Sequence, residues 1–557
     1  MKVVERHADR LIALALALAY VVWLLATASS LGYARDEGFY FHAAQAYRGW
    51  FELLLSEPAQ ALERASVDRF WAVNREHPSL MKLAFMLSHK LFFDELGWFA
   101  EPGTAYRFPA MLASGLGVAV VYAWGRRVLG RAPGLVAALL FALMPRVFYH
   151  AHLACFDMPV ASLWLAAAYV YARSLEAPRL GWIVAAGVVY GLLLDTKHNA
   201  WLLPFALVPH VLLLRGGLLL RGLRERRLLL PPALFSMLLI GPLVFYLSWP
   251  WIWFDTLPRL LEYVRFHTGH EYYNMEFLGV TYWKPPMPRG YAWLMTLGTV
   301  PLVTLLLFAI GLTALVGDAR AELAERRRLP ERAGALVGRF PTELLWLLAV
   351  LVSYAPWWSS ETPIFGGTKH WITAYPFLCL LAGRGFVLTC AHLRELAGAG
   401  ARQRAVEPAL AALVVLTPLV MTIHSHPWGL SFYTPLVGGA PGAASLGLNR
   451  TFWGYTTGAV QDFINARAAP RAAVYLHDTA YQSWEMLRAD GRVRADLRGT
   501  LAIHGSDLAL YHHEPHMSRV EYQIWVDYGT VAPAHVATYD GVPVVWVYQR
   551  PPRRRER

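Results

Sequence analysis

Apolar residues in this chain come in long blocks, and polar residues fall mostly in short stretches between them. The blocks lie near residues 11–30, 108–124, 134–148, 158–171, 182–194, 201–214, 233–249, 291–316, 343–357, 372–390 and 409–422. Each, with its flanks, approaches the roughly 20 residues a helix needs to cross about 30 Å of hydrocarbon. The pattern predicts a polytopic membrane protein with about eleven crossings. One further apolar piece, residues 80–91, is short and carries Lys82, His89 and Lys90. It reads as a helix lying in the interface, because a crossing there would move Arg126 and Arg127 to the outer side. The basic leader and the first block read as a retained anchor, with no small-residue cleavage site after them.

Charge orients this arrangement. Arginine gathers in three connections, residues 215–227, 320–339 and 394–404. Basic residues close to span ends mark the cytoplasmic side, so the amino terminus is placed inside. The net charge of +12 is therefore a topology signal, and a nucleic-acid partner is not expected. Five polar segments then face outward: 32–107, 146–157, 195–199, 249–290 and 358–370. Trp249, Trp251, Trp253, Trp357, Trp358 and Trp371 flank them as an interfacial aromatic belt would.

Composition changes after the last block. Residues 1–430 read as the membrane domain, the Gly/Pro/Ser-rich stretch 431–458 as a linker, and 459–557 as a small extracytoplasmic domain. Strands are expected near 472–476, 522–526 and 544–548, and a helix over 480–488, which makes that domain α/β. The fold class is thus an all-α polytopic membrane protein with interfacial helices and a C-terminal α/β domain. Cys155, Cys379 and Cys390 have neither metal-ligand nor disulfide spacing. Asp478, His512, His513 and His516 are spaced too loosely for a metal site, and the histidines read as surface residues.

The outer face collects chemistry. Asp36 and Glu37 follow the first span, Asp157 opens the fourth, and Lys197-His198 fills a tight turn. His267, His270 and Glu271 lie in the long outer loop, and Lys369-His370 precedes the tenth span. Singly, each fits a helix cap or a snorkelling side chain. Together, carboxylates beside lysines on one membrane face suit transfer of a group attached to phosphate. A carboxylate can take the proton of an attacking hydroxyl, while a cation stabilises charge on the departing phosphate.

These residues also carry a family likeness. Tyr33-Ala-Arg-Asp36-Glu37, Glu76-His77-Pro78-Ser79-Leu80-Met81-Lys82, Pro145 with Asp157-Met158-Pro159, Asp195-Thr-Lys197 and Gly367-Thr-Lys369-His370-Trp371 resemble the protein O-mannosyltransferase and aminoarabinose-transferase superfamily. These are family 39 glycosyltransferases of the GT-C fold. The resemblance implies an inverting enzyme that moves a sugar from a polyprenyl-phosphate donor to an acceptor protein, lipid or glycan. It implies Asp36 as general base, Glu37 as its support and Asp157 as an orienting group. Lys197 and Lys369 would hold the lipid phosphate with Arg107 or His370, and His77 and Lys82 join the substrate-binding set. Glu76 with His270 or His267 would take a divalent metal ion. Two positions depart from the pattern: Ser79 replaces a second proline, and His152 stands where the family often has arginine. The resemblance further implies a bacterial inner membrane with a periplasmic site. A transporter or flippase of a lipid-linked or small substrate is the competing reading; it predicts an internal repeat, and none is evident.

Overall fold

The computed structural model describes residues 2–225, 230–328, 340–398 and 400–551. Parts of two arginine-rich connections, residues 226–229 and 329–339, lie outside the described residues. The protein is mostly helical, with a small mixed sheet near the carboxyl end. Among the described residues six helices are long and apolar enough to cross a membrane. They are His7–Ser30, Pro102–Leu129, His198–Gly216, Leu302–Glu325, Ile372–Ala397 and Ala401–Ser425. A bent pair, Arg131–Ala142 with Pro145–His152 at 66°, would make a seventh. Pro145 explains the bend: it starts the second helix and keeps Met144 extended. The remaining expected crossings are helices too short or too polar for that test, such as Leu180–Leu194 and Pro232–Ser248. The block at 291–316 divides into Tyr291–Thr299 and a longer helix from Leu302, with Pro301 at the break.

Ion pairs mark the two ends of the first helix pair. At one end Asp9 meets Arg126 and Arg131, the latter at 2.7 Å. At the other, Glu37 meets Arg107. Helices Leu302–Arg328 and Tyr375–Ala397 touch backbone to backbone. A Cβ on Gly311 would lie 2.1 Å from the Leu381 carbonyl, and one on Gly385 would lie 1.9 Å from the Leu307 carbonyl. Small residues permit such an approach where apolar burial gives little driving force between helices.

The segment between the first two long helices is mainly helical: Arg35–Ser56, Pro58–Ala61, Arg64–Trp71 and Leu80–Ser88. The stretch 249–290 holds helix Thr256–Thr268 and an antiparallel hairpin, β1 (Met275–Phe277) with β2 (Val280–Tyr282). The C-terminal sheet consists of β3 (Ala473–Tyr475), β4 (Arg498–Thr500), β5 (Leu508–Tyr511), β6 (His535–Tyr539) and β7 (Val542–Gln549). Its order is β4-β3-β5-β7-β6, parallel around β3 and antiparallel around β7.

Two expectations for this region are corrected. Residues 522–526 belong to helix Ser518–Tyr528. Their β-formers Tyr522, Ile524 and Val526 mislead because burial follows a four-residue step: Ile524 and Tyr528 are inside, Tyr522 and Val526 outside. The histidines are not all superficial either. His512 is buried just after β5, and His516 pairs with Glu276 of β1 at 2.8 Å, both side chains nearly inaccessible.

Residues 431–458 pack tightly. Phe432 is buried, and Tyr433, Phe452, Trp453 and Tyr455 lie in the same apolar core that runs from the membrane helices to the sheet. Glu514 anchors this stretch by accepting the N–H groups of Arg450 (2.7 Å) and Thr451 (2.9 Å). Its other oxygen is buried without a partner, and burial pushes its carboxyl up to about 8. A raised acid favours the protonated fold, so its contribution is full at low pH and fades as pH rises through about 8. The melting temperature is expected to fall between about pH 5 and 8, and Glu514→Gln to flatten that fall; a scan of both proteins by differential fluorimetry checks it.

Candidate active site

Asp36 and Glu37 occupy the first turn of helix Arg35–Ser56, where the helix dipole favours carboxylates. Successive residues on a helix point about 100° apart, and the two acids part accordingly. Glu37 turns inward. Its oxygens accept Nε (2.7 Å) and Nη2 (2.9 Å) of Arg107, and the N–H groups of Ala154 (3.0 Å) and Ala34 (2.9 Å). Arg107 also donates to the carbonyls of Ala28 and Gly32. Every strong bond of this buried pair is made within the protein, so Arg107 has no free fork for a phosphate and Glu37 acts as scaffold.

Asp36 points the other way and stays 24% exposed, accepting Nζ of Lys369 at 2.9 Å. Lys369 sits in the 3-10 turn Gly367–His370, entered through Gly367 at φ +57, a conformation costly for other residues. His370 braces this turn, its Nε2 accepting the N–H of Gly366 (2.9 Å) and of Phe365 (3.3 Å). That bond requires a neutral ring nitrogen. Burial, followed by the nearby Lys369 and Lys197 charges, keeps His370 far below the usual imidazole range.

A second pair lies beside the first. Helices Asp157–Glu176 and Leu180–Leu194 form a hairpin, which returns the turn after Leu194 to the level of Asp157. Lys197 donates to Asp157 at 2.6 Å, and the His150 ring lies 3.7 Å from the other carboxylate oxygen. Burial pushes Asp157 up, but Lys197 and Lys369 pull it down to about 2. Asp36 behaves alike: burial raises it, and Lys369 with Arg35 outweigh this, leaving it below the ordinary carboxylate value. Lys369 is lowered by burial and raised more by Asp36 and Asp157. Two carboxylates and two lysines from four separate segments thus form one alternating group. Both acids are ionised at neutral pH, so activity that depends on them is expected to be level through pH 6–8 and to fall only in acid. A rate profile over pH 3–8 checks this.

The remaining predicted residues sit around a neighbouring turn. Lys82 is buried and donates to the carbonyls of Asn74 (2.7 Å) and His77 (2.8 Å), holding the His-Pro loop in shape. Asp195 accepts from Ser79 N–H at 3.1 Å and from its hydroxyl at 3.0 Å. The serine that departs from the family pattern therefore ties the start of helix Leu80–Ser88 to the Lys197 turn. His77 packs among the rings of Tyr40, Phe156 and His267. Glu76, His267 and His270, the residues expected at a metal ion, meet other groups of the chain. His267 Nε2 meets the main-chain carbonyl of Glu76 at 2.8 Å, the Glu76 carboxylate accepts from Asn74, and His270 Nδ1 meets the Glu271 carbonyl. Among the described residues no group of three or more His, Cys, Asp or Glu side chains could hold a metal ion.

Sequence reasoning missed three neighbours of the group: Arg35, His150 and Trp453. Arg35 forms an ion pair with Asp478 at 3.1 Å, and Lys369 Nζ lies 4.2 Å from the Trp453 ring centre. Adjacency to Asp36 was a usable signal for Arg35. No local signal marked Trp453, because its partners are remote in the chain.

Residues 76–249 match the family model described as dolichyl-phosphate-mannose-protein mannosyltransferase. The matched stretch includes the His-Pro element, Arg107, Asp157 and Lys197, and it falls within the part of the chain whose motifs carry the family likeness. Among solved structures, ArnT from Cupriavidus metallidurans bound to undecaprenyl phosphate is 16% identical, with 97% of each chain covered and a TM-score of 0.44. The archaeal oligosaccharyltransferase AglB from Archaeoglobus fulgidus, in complex with an inhibitory peptide and a dolichol-phosphate, is 11% identical. That match covers 92% of this chain and 71% of AglB, with a TM-score of 0.46. No curated protein sequence matches.

Proposed function

We propose that the protein is an inverting glycosyltransferase that moves a sugar from a polyprenyl-phosphate donor to an acceptor hydroxyl. The reading rests on one observation above all: the pairs Asp36–Lys369 and Asp157–Lys197 lie side by side, with Asp36 accessible. Asp36 takes the proton of the acceptor hydroxyl, whose oxygen bonds to the anomeric carbon from the face opposite the phosphate. The bond from that carbon to the phosphate oxygen breaks, and the phosphate leaves with the electron pair. Lys369 and Lys197 stabilise the new charge. Asp157, almost fully buried, orients Lys197 rather than meeting the acceptor.

The arrangement fits a bacterial inner membrane, with the site and the C-terminal sheet on the periplasmic side. Protein, lipid and glycan hydroxyls all suit the same base, so the acceptor is left as a class. The test is sugar release from a panel of radiolabelled polyprenyl-phosphate sugars by purified protein with membrane extract. Release from one donor supports the reading and names the sugar; release from none by folded protein overturns it. Lys197→Met is expected to raise the KM for the donor by about 10- to 100-fold, the range for losing one charge-assisted bond. Donor titration against a fixed acceptor checks that value.

A further inference from the structure

We propose that Trp453 and Asp478, both from the C-terminal part of the chain, are positioning residues for the Asp36–Lys369 pair. The inference rests on the glycosyltransferase reading for its catalytic meaning, and on geometry for its substance. Lys369 is held from two sides. Its ammonium lies 2.9 Å from Asp36 Oδ2 and 4.2 Å from the centre of the Trp453 ring. The Trp453 carbonyl also accepts the N–H of Arg35 at 2.8 Å, the residue that opens the helix bearing Asp36. Arg35 in turn donates to Asp478 at 3.1 Å. One indole therefore fixes the lysine through its ring and the aspartate's helix through its backbone.

Further contacts exclude chance packing. Trp453 adopts φ +57, a conformation costly for a bulky residue and kept only where the surroundings enforce it. Gly454 follows at φ +63, and a Cβ there would lie 2.5 Å from the Asp478 carbonyl. The loop before Asp36 is gripped from the same domain. Ser483 donates to the Ala34 carbonyl (3.0 Å), Arg492 donates to the Leu31 carbonyl (2.7 Å), and Tyr33 hydrogen-bonds Asp490. Cation–π contact with a desolvated ammonium is worth enough to hold a flexible lysine in one place. The groups that face the pair are Arg35, Asp157, Tyr40, Cys155, His150, His370 and Asp478. Of these, Arg35 supports Asp36 ionisation, and Asp478 is the counter-charge that keeps Arg35 from displacing Lys369.

The experiment needs no substrate in its first arm. The full-length protein in detergent is acylated with an amine-reactive ester, and the modification of Lys369 relative to Lys197 is read by mass spectrometry. Trp453→Leu is expected to raise that ratio about three- to thirtyfold, and Trp453→Phe, which keeps a ring, to leave it near wild type. Asp478→Asn is expected to raise it too, because Arg35 then competes for Asp36. An unchanged ratio in folded Trp453→Leu overturns the proposal; if that variant does not fold, an unchanged ratio in Asp478→Asn does so. The second arm is the acid limb of sugar transfer. It should move up in Trp453→Leu, where Asp36 loses its lysine, and down in Asp478→Asn, where Arg35 turns to Asp36. A merely structural role would lower the rate in both and move neither limb. If wild type turns over no donor, the glycosyltransferase reading falls, while the labelling ratio still decides the positioning role.

Discussion

Asp36→Asn is expected to keep the fold and to slow sugar transfer by about 10²- to 10⁴-fold, the usual contribution of a positioned general base. Asparagine keeps the size of the side chain and can still meet Lys369, so expression and melting should change little. What it cannot do is accept the hydroxyl proton. Asp157→Asn separates the two acids. Asp157 is almost inaccessible, and its partner is Lys197, the cation proposed above to meet the donor phosphate. Its loss should therefore weaken donor binding more than the chemical step, appearing first in KM. Steady-state rates over a range of donor concentrations, with circular dichroism as the folding control, distinguish the two outcomes. Near-wild-type turnover by Asp36→Asn would remove it as the base and leave Asp157 as the remaining carboxylate of the group.

Much of this was legible in the chain, for reasons that particular residues make plain. Membrane helices announce themselves because every apolar run must reach a fixed length. The helices around 11–30 and 372–390 are examples. Asp36, Asp157, Lys197 and Lys369 were visible because charged residues beside spans are costly and rarely idle. Their pairing was not legible. Asp36 meets Lys369 across 333 positions, and a sequence carries no local sign of such a contact. The same holds for Arg107, which looked like a phosphate ligand until Glu37 was seen to occupy it. The stretch 431–458 looked like a linker because Gly, Pro and Ser dominate its middle. Its ends carry Phe432, Tyr433, Phe452 and Trp453, which bury themselves against the membrane part. Helix Ser518–Tyr528 was hidden by its β-branched and aromatic residues, whose tertiary setting overrides propensity.

Arg107→Ala is expected to destabilise the protein by about 3–5 kcal/mol, the scale for removing one partner of a buried ion pair. The pair is 1% and 0% exposed, so the orphaned Glu37 carboxylate would have no water to turn to. An isolated buried pair can often be replaced by two apolar residues at little cost. Here that rescue should fail. Arg107 also satisfies the carbonyls of Ala28 and Gly32, and Glu37 satisfies the N–H groups of Ala34 and Ala154. The double variant Glu37→Met with Arg107→Met would leave three of those groups unpaired inside the protein, the Ala28 carbonyl keeping the Leu31 N–H, each at a cost of roughly 1–3 kcal/mol. Thermal unfolding in detergent micelles should place the double variant at or below the single one. A double variant close to wild type would mean that the pair is an ordinary ionic contact and that the loop bearing Asp36 is held by its other partners. The same samples report on function. If Glu37 is scaffold, Glu37→Gln should lose stability in parallel with activity, whereas loss of activity at full stability would make it part of the chemistry.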